Sequence, residues 1–238
     1  EHGVPDNIWD TVMVKIENIA SEKKMKSMFL AMLLPYMLIL ITMSGASYPA
    51  TDLSVGEKER GTLETLLAAS ILRKEIVIGK YLTTVLVALV SSASSLISIS
   101  LTFRLLPSSS QFAAQISFQT MITAFFAILP VAMIFSALVF AIASFAKSMK
   151  EAQGYIGPLT MAVIFPAMVS IFPGFEADMS TVFIPIVNIS LLLKNIILGD
   201  VRGYYLIITL LESFLLAGFF IIMAFRLFDR ESVIFKGE

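Results

Sequence analysis

The chain lacks most of the side chains on which enzyme active sites are built. It contains no cysteine and a single histidine, His2, among 238 residues. The absence of cysteine excludes disulfides, thiolate metal sites and cysteine nucleophiles. One histidine leaves almost nothing for histidine acid–base or metal chemistry, and the sequence has no His-Glu-x-x-His pattern. We therefore expect a protein that is not itself an enzyme.

Charged residues are scarce as well. They make up 15% of the chain, whereas hydrophobic residues make up 57%. A soluble domain of this length could not keep that balance in solution, so lipid is the expected solvent for most of the chain. The net charge of −1 creates no long-range field that would recruit nucleic acid, and we expect no nucleic-acid partner.

Long apolar runs are abundant and predict an all-α polytopic membrane protein. A helix needs about 20 mostly apolar residues to cross the hydrocarbon core of a bilayer. Five runs meet or approach that length, and we predict transmembrane helices at residues 28–47, 81–103, 120–145, 155–172 and 204–225. The prolines inside these runs should kink the helices without ending them, because neighbouring helices re-satisfy the freed carbonyl groups. These prolines are Pro35, Pro130, Pro158 and Pro166.

The apolar run at residues 181–198 is a weaker candidate for a span. Isolated polar groups are costly in hydrocarbon, and this run contains several. We predict a re-entrant or interfacial segment here, not a sixth crossing. The residues that argue against a full span are Pro185, Asn188, Lys194 and Asn195.

Basic residues predict the orientation of the chain in the membrane. They cluster after the first span, between the third and fourth spans, and after the last span. With five spans these three segments lie on one side, which the positive-inside rule makes cytoplasmic, together with the C-terminus. Lys23, Lys24 and Lys26 oppose the rule, because they precede the first span on the outer side. A folded external domain upstream would weaken the bias there.

Residues 1–27 are not lipid-like. Asp6 or Asn7 can cap a helix, and apolar residues from Trp9 onward follow at helical spacing. We predict an amphipathic external helix that forms the end of an external domain or lies in the membrane interface. The chain starts without an initiator methionine, so we expect it to be a piece of a longer protein.

The segment 54–75 differs sharply in composition from the apolar runs on either side. Thr62 can act as a helix N-cap, and Leu63, Leu66, Leu67 and Ile71 follow at helical spacing. One interpretation is a solvated linker that contains an amphipathic helix. The other is a helix at the cytoplasmic surface that offers one face to a partner protein.

No phosphate-binding loop for ATP is present. The nearest match to Gly-x-x-x-x-Gly-Lys-Ser/Thr ends in Gly79-Lys80-Tyr81, with Lys74 in place of the first glycine and Tyr81 in place of the hydroxyl residue. This chain therefore does not hydrolyse ATP by that route.

A resemblance to a transporter family rests mainly on one run of residues. This run, placed just after a span and followed by Gly79-Lys80-Tyr81, is Glu57-Lys58-Glu59-Arg60-Gly61-Thr62-Leu63-Glu64-Thr65-Leu66-Leu67. It resembles the signature of type-2 ABC transporter (ABC-2) permeases. Two further runs resemble the sodium-export (Nat-type) permease subunit, and the likeness extends from about Met28 to the C-terminus. They are Tyr48-Pro49-Ala50-Thr51-Asp52-Leu53 and Arg226-Leu227-Phe228-Asp229-Arg230-Glu231-Ser232-Val233.

The resemblance implies that residues 28–238 form an ABC-2 transmembrane domain that lacks its first span and most of an external domain. It implies a re-entrant element before the last span. It also implies a multi-pass protein of the cell membrane, in a prokaryotic cytoplasmic membrane, with the lipid bilayer around it.

The resemblance further implies that a separate ABC ATPase, which holds ATP and magnesium, docks on residues 54–75, which we call the coupling segment. This chain itself would carry no cofactor. A second permease half would complete a homo- or heterodimer. The residues that would couple to the ATPase are Glu57, Lys58, Glu59, Arg60, Gly61, Thr62, Leu63, Glu64, Leu66 and Leu67.

The implied cargo is sodium, although the same machinery serves drugs, peptides or lipids, and a passive channel or anchor is a different class of function. Glu212 is the ionisable residue deepest inside a predicted span, and such a carboxylate suggests an ion or proton site. Asn188 and Lys194 are the other candidates for the path. The alternative is that Glu212 lies near the outer third of the span, where it pairs with Lys194 or faces water.

The second span contains many serines, including Ser91 and Ser95. Serines of this kind line a wet path or let helices pack closely, and the four-residue spacing favours close packing.

Overall fold

The computed structural model describes residues 22–62, 65–66, 72–105 and 117–228. All regular elements in these ranges are helical. The predicted helix in residues 1–27 lies almost entirely outside them, as do Leu63, Glu64 and Leu67 of the coupling segment. The main helices are α1 (Glu22–Thr51), α2 (Arg73–Leu105), α3 (Phe118–Phe145), α4 (Met149–Ala167), α5 (Val187–Leu198) and α6 (Gly203–Phe228).

Within the described ranges, five helical segments are long and apolar enough to cross a membrane, which confirms the number of spans predicted from the sequence. The sixth helix, α5, has 12 residues. At about 1.5 Å per residue it is much shorter than the roughly 30 Å hydrocarbon core. The five segments are Met32–Glu59, Lys74–Leu105, Phe118–Phe145, Met149–Ile171 and Gly203–Arg226.

The prolines lie inside helices, as expected. Pro35 and Pro49 are in α1, Pro130 is in α3, and Pro158 and Pro166 are in α4. Each removes one backbone donor from its helix. The helices nevertheless continue through them, because the surrounding helices hold the backbone in place.

The first helix extends well beyond the predicted end at residue 47. After α1 the chain forms a π-helix at Asp52–Gly56 and one more α-helical turn at Glu57–Glu59. We call residues 52–59 the α1 extension. Polar residues do not interrupt the helix before it, because the hydroxyl groups of Ser47 and Thr51 donate to the carbonyls of Met43 and Ser47, at 2.9 Å in each case. The coupling segment therefore begins as a direct continuation of a transmembrane helix.

The helices α1 and α3 form the centre of the bundle. Burial within the protein reaches 61% for the apolar part of α3 but only 28% for α2 and 17% for α6. The short helix α5 packs inside the bundle against α1 and α3, and residues 187–194 are all buried. The outer faces of α2, α6 and also α4, whose span is 22% buried, are thus the surfaces left for lipid or other protein.

Small and hydroxyl residues bring α1 and α2 close together. A side-chain carbon built on Gly45 would lie 2.7 Å from the Cβ of Ser91 and 3.2 Å from the Cα of Ala88. Nearby, the buried hydroxyls of Thr42 and Ser92 are hydrogen-bonded at 2.7 Å. At these positions the serines of α2 serve close packing, the interpretation favoured by their spacing.

Because of this close contact, we expect Gly45→Ala to lower the free energy of unfolding by about 1–3 kcal/mol, the usual cost of overpacking. The measurement is the midpoint of unfolding in detergent. The matched control is Gly79→Ala in α2, where an added carbon meets nothing within 4 Å. The control should be neutral or slightly stabilising, by up to about 1 kcal/mol.

The double variant Gly45→Ala/Ser91→Gly moves the small residue to the other helix and should regain most of the loss. Equal stability of Gly45→Ala and the unmodified chain would contradict the close contact.

Candidate functional site

The described parts of the three basic segments meet at one end of the bundle, which we call the basic end. The ammonium of Lys58 reaches the end of α3, where it donates to the carbonyl of Ser144 at 2.6 Å. Near the start of α2, the ring of Tyr81 packs edge-on against Phe225 near the end of α6, with centroids 5.9 Å apart. The end of α1, the start of α2, the α3–α4 turn and the end of α6 are therefore neighbours.

A buried ion pair joins the α1 extension to α2. The ammonium of Lys80 donates to the carboxylate of Glu57 and, at 2.7 Å, to the carbonyl of Leu53. The side chain of Lys80 is 8% exposed and that of Glu57 is 19% exposed. A charge this deeply buried is costly unless it is paired and hydrogen-bonded. The two helices are consequently held to each other at this point.

The next two residues hold the extension to the α3–α4 turn. Lys58 makes the bond to Ser144 described above, and the carboxylate of Glu59 accepts a hydrogen bond from the backbone N–H of Met149 at 2.8 Å. Met149 is the first residue of α4, so the Glu59 carboxylate lies at the positive end of that helix, where an anion is stabilised.

An apolar contact supports these polar bonds. Val55, in the π-helical part of the extension, is fully buried. It packs with three equally buried alanines on both sides of the α3–α4 turn, Ala143, Ala146 and Ala152. Small side chains at these positions let the extension approach the turn closely. The extension is therefore bonded to α2 on one side and packed on the α3–α4 turn on the other.

The residues that follow the extension are exposed. Arg60 forms an ion pair with Asp52 at 2.7 Å, but its side chain remains 62% exposed. Gly61 has a φ of 69°, which glycine adopts at no steric cost. The hydroxyl of Thr62 donates to the carbonyl of Glu57 at 3.3 Å. Leu66 is partly buried. Arg60, Gly61 and Thr62 are thus accessible at the tip of the basic end.

A second polar site lies deep in the bundle, between α5 and α6. The amide nitrogen of Asn188 donates to the carboxylate of Glu212 at 2.6 Å and to the carbonyl of Val182 at 2.9 Å. The hydroxyl of Ser213 is 3.5 Å from the same carboxylate. Asn188 and Ser213 are buried, and Glu212 is partly buried. The structure therefore brings together two of the three residues predicted for the path, Glu212 and Asn188.

The alternative pairing of Glu212 with Lys194 is wrong. Lys194 is buried on α5, but its ammonium donates to the carbonyl of Phe175 at 3.1 Å. Lys194 and Asn188 are six residues apart on α5, which turns them about 120° away from each other around the helix. Asn188 faces Glu212, and Lys194 faces the turn after α4.

A cavity of about 190 Å³ opens beside Glu212. Its walls are mostly apolar side chains of α1, α3, α4 and α6, and its polar groups come from Asn188, Glu212 and Ser213. Ile186 also lines it, with a φ of 71° that branched residues rarely adopt, so the turn into α5 is strained. Among the described residues no three histidine, cysteine, aspartate or glutamate side chains cluster as a metal site. One carboxylate in an apolar cavity suits a single positive charge.

A family model described as ABC-2 family transporter protein matches residues 10–226, nearly the whole chain. The chain belongs to the ABC-2 transporter family. It is 28% identical over 185 residues to the ABC transporter permease protein NatB of Bacillus subtilis (strain 168). That alignment covers 76% of this chain and 48% of NatB, so the chain spans about half the length of this curated relative. No solved structure matches the chain.

The basic end of this ABC-2 chain contains one residue whose importance the sequence did not reveal. In the sequence Lys80 stands out only in the run Gly79-Lys80-Tyr81, yet in the structure it is the ion-pair partner of Glu57, 23 residues earlier. The available signal was a lysine directly before a predicted span, because a lysine needs a counter-ion when it is buried. Its position relative to Glu57 depends on how α1 and α2 pack.

Proposed function

We propose that this ABC-2 chain is the permease subunit of an ATP-driven exporter, and that a separate ABC ATPase binds the α1 extension and the residues after it. The proposal is supported by the different environments of neighbouring residues at the basic end. Glu57, Lys58 and Glu59 hold the extension to the rest of the bundle. Arg60 and Thr62 remain exposed for a partner. Exposed charges set the register of such an interface, and leucines supply its buried anchors.

The contacts of the extension explain how a push from the ATPase would reach the spans. The extension continues α1, is bonded to α2 through Lys80, and is bonded to the α3–α4 turn through Lys58 and Glu59. A displacement of the extension therefore moves the ends of four spans together. Closure of the ATPases around ATP would then shift the permease between inward-open and outward-open states.

A second permease half, identical or related, would complete the transporter together with a second ATPase. The outer faces of α2 and α6 carry large exposed apolar side chains such as Leu86 and Leu215. The second half and the lipid of a prokaryotic cytoplasmic membrane would share these surfaces, with the C-terminus in the cytoplasm.

Sodium is the cargo that we propose first. The carboxylate of Glu212 lies in the bundle beside Asn188 and next to the non-helical turns that precede α5. Interrupted helices with oxygen atoms at the middle of a membrane are typical sites for monovalent cations, and a carboxylate there is costly unless it serves an ion or proton.

The apolar walls of the cavity favour a second candidate. The cavity beside Glu212 is lined mainly by aliphatic and aromatic side chains, including Phe135 and Phe220. An amphipathic organic cation, such as a drug, would place its charge at Glu212 and its apolar body against these walls. The same machinery would then export a different cargo.

The coupling proposal is tested by Arg60→Glu. Charge reversal at an exposed interface arginine should weaken ATPase binding by about 30-fold or more, which corresponds to about 2 kcal/mol. The permease itself should remain folded, because the exposed pair with Asp52 contributes at most about 1 kcal/mol. The measurement is stimulation of ATP hydrolysis by the permease in reconstituted vesicles.

Lys150→Glu reverses another exposed charge at the same end and serves as the matched control. It should leave stimulation intact. Full stimulation by the Arg60→Glu permease would rule out this docking surface.

A further inference from the structure

A cavity at the basic end has no part in the coupling contacts. It lies between the start of α2 and the end of α6 and has a volume of about 220 Å³. Two basic and four apolar residues line it, namely Lys74, Arg226, Val77, Ile78, Ile222 and Phe225.

The basic part of this cavity has an uncompensated positive charge. Lys74 and Arg226 are both exposed, and no ion pair joins either of them to an acidic residue in the part of the chain that the structure describes. Lys74 is in the first turn of α2, where the helix dipole is positive and a lysine is unfavourable. The neighbouring carboxylate of Glu75 is turned to the N–H of Leu72, from which it accepts a hydrogen bond at 3.3 Å, and it forms no ion pair with Lys74. An anion at this position would relieve both effects.

The apolar part of the cavity faces the region where lipid lies. The spans of α2 and α6 are mostly unburied within the protein, at 28% and 17% buried, and Ile78 and Ile222 are 43% and 55% exposed. A ligand held by the two basic residues would therefore have its other part beside these side chains and the surrounding bilayer.

We propose that this cavity binds an anionic phospholipid from the leaflet on the basic side of the membrane. The phosphate would lie between Lys74 and Arg226, and an acyl chain would run along Ile78 and Ile222. Basic pockets between transmembrane helices at a cytoplasmic surface suit such head groups. A free phosphate would use only the charged half of the site, whereas a phospholipid uses both. The bound lipid would tie the start of α2 to the end of α6.

The test is a titration of phosphatidylglycerol into the purified chain in an uncharged detergent, with bound lipid counted by native mass spectrometry. Phosphatidylglycerol should bind more tightly than phosphatidylcholine with the same acyl chains. The double variant Lys74→Met/Arg226→Met should bind phosphatidylglycerol about 30-fold more weakly, since each basic residue near a membrane surface contributes about 1 kcal/mol.

Two further variants separate lipid binding from folding and from general charge. Lys74→Arg/Arg226→Lys keeps both charges and should keep the affinity. Lys147→Met/Lys150→Met removes two exposed charges at the same end of the bundle, outside the cavity, and should also retain the affinity for phosphatidylglycerol.

Three results would overturn the proposal. They are unchanged phosphatidylglycerol binding by the Lys74→Met/Arg226→Met variant, equal binding of phosphatidylcholine, or full competition by inorganic phosphate at the concentration of the lipid. None of these depends on the ATPase, so the lipid site and the coupling proposal stand or fall separately.

Discussion

The rate of ATP-driven transport by the Lys80→Met variant is expected to fall at least about tenfold. This decrease corresponds to a loss of about 1.4 kcal/mol in the free energy of coupling. Methionine fills much of the space of the lysine stem but removes the ammonium group. The Glu57 carboxylate then has no counter-ion, and the Leu53 carbonyl loses its donor. Breaking a buried ion pair from one side typically costs about 3–5 kcal/mol. Because Glu57 is partly exposed, we expect Lys80→Met to lower the free energy of unfolding by about 3 kcal/mol or less.

A double variant separates the mechanical role of this pair from its contribution to stability. Glu57→Gln/Lys80→Met removes both charges, so it should regain much of the unfolding midpoint lost in Lys80→Met. It should not regain transport, because the bond between the α1 extension and α2 is still missing.

Lys150→Met removes an exposed lysine at the same end of the bundle, and it should leave both the unfolding midpoint and the transport rate unchanged. The measurements are unfolding in detergent and ATP-driven efflux from vesicles. Transport at the unmodified rate by Lys80→Met would exclude a coupling role for the pair.

Glu212→Gln is expected to reduce sodium efflux by about tenfold or more, through the loss of at least about 1.4 kcal/mol of cation binding. Glutamine has the shape of glutamate and keeps an oxygen that accepts the Asn188 amide, so the local packing should persist. The negative charge alone is lost.

Glu176→Gln is the control, because it removes a carboxylate whose side chain is 79% exposed. Its sodium efflux should match that of the unmodified chain. Unchanged efflux by Glu212→Gln would remove sodium as cargo at this site. If export of an amphipathic organic cation fell instead, the second candidate cargo would replace the first, and the coupling proposal would remain in place.

The number of spans could be predicted from the sequence because the bilayer imposes a minimum length on every apolar run. The end of the first helix could not. Hydropathy falls after Ser47, but hydropathy reports transfer into lipid and not the continuity of a helix. Backbone bonding continues through Pro49 and Thr51 to Glu59, partly outside the expected apolar region.

The partners of the polar residues inside the bundle could not be predicted from the sequence either. The sequence identified Glu212, Asn188 and Lys194 as unusual in an apolar setting, since each would be costly there without a partner. The choice of partner depends on the rotation of α5, which turns Asn188 toward Glu212 and Lys194 toward the carbonyl of Phe175.

The sequence by itself determined that most of the chain is suited to lipid, that it is helical, and that a charged run follows the first span. These features follow from composition and from the length of the apolar runs. Tertiary structure alone decided that Glu57 pairs with Lys80 and that Lys58 and Glu59 hold the α3–α4 turn. These residues are far apart along the chain, and no local pattern encodes how helices pack and rotate against one another. Burial makes the pairing of Lys80 with Glu57 necessary, because an unpaired charge inside the bundle is too costly to keep.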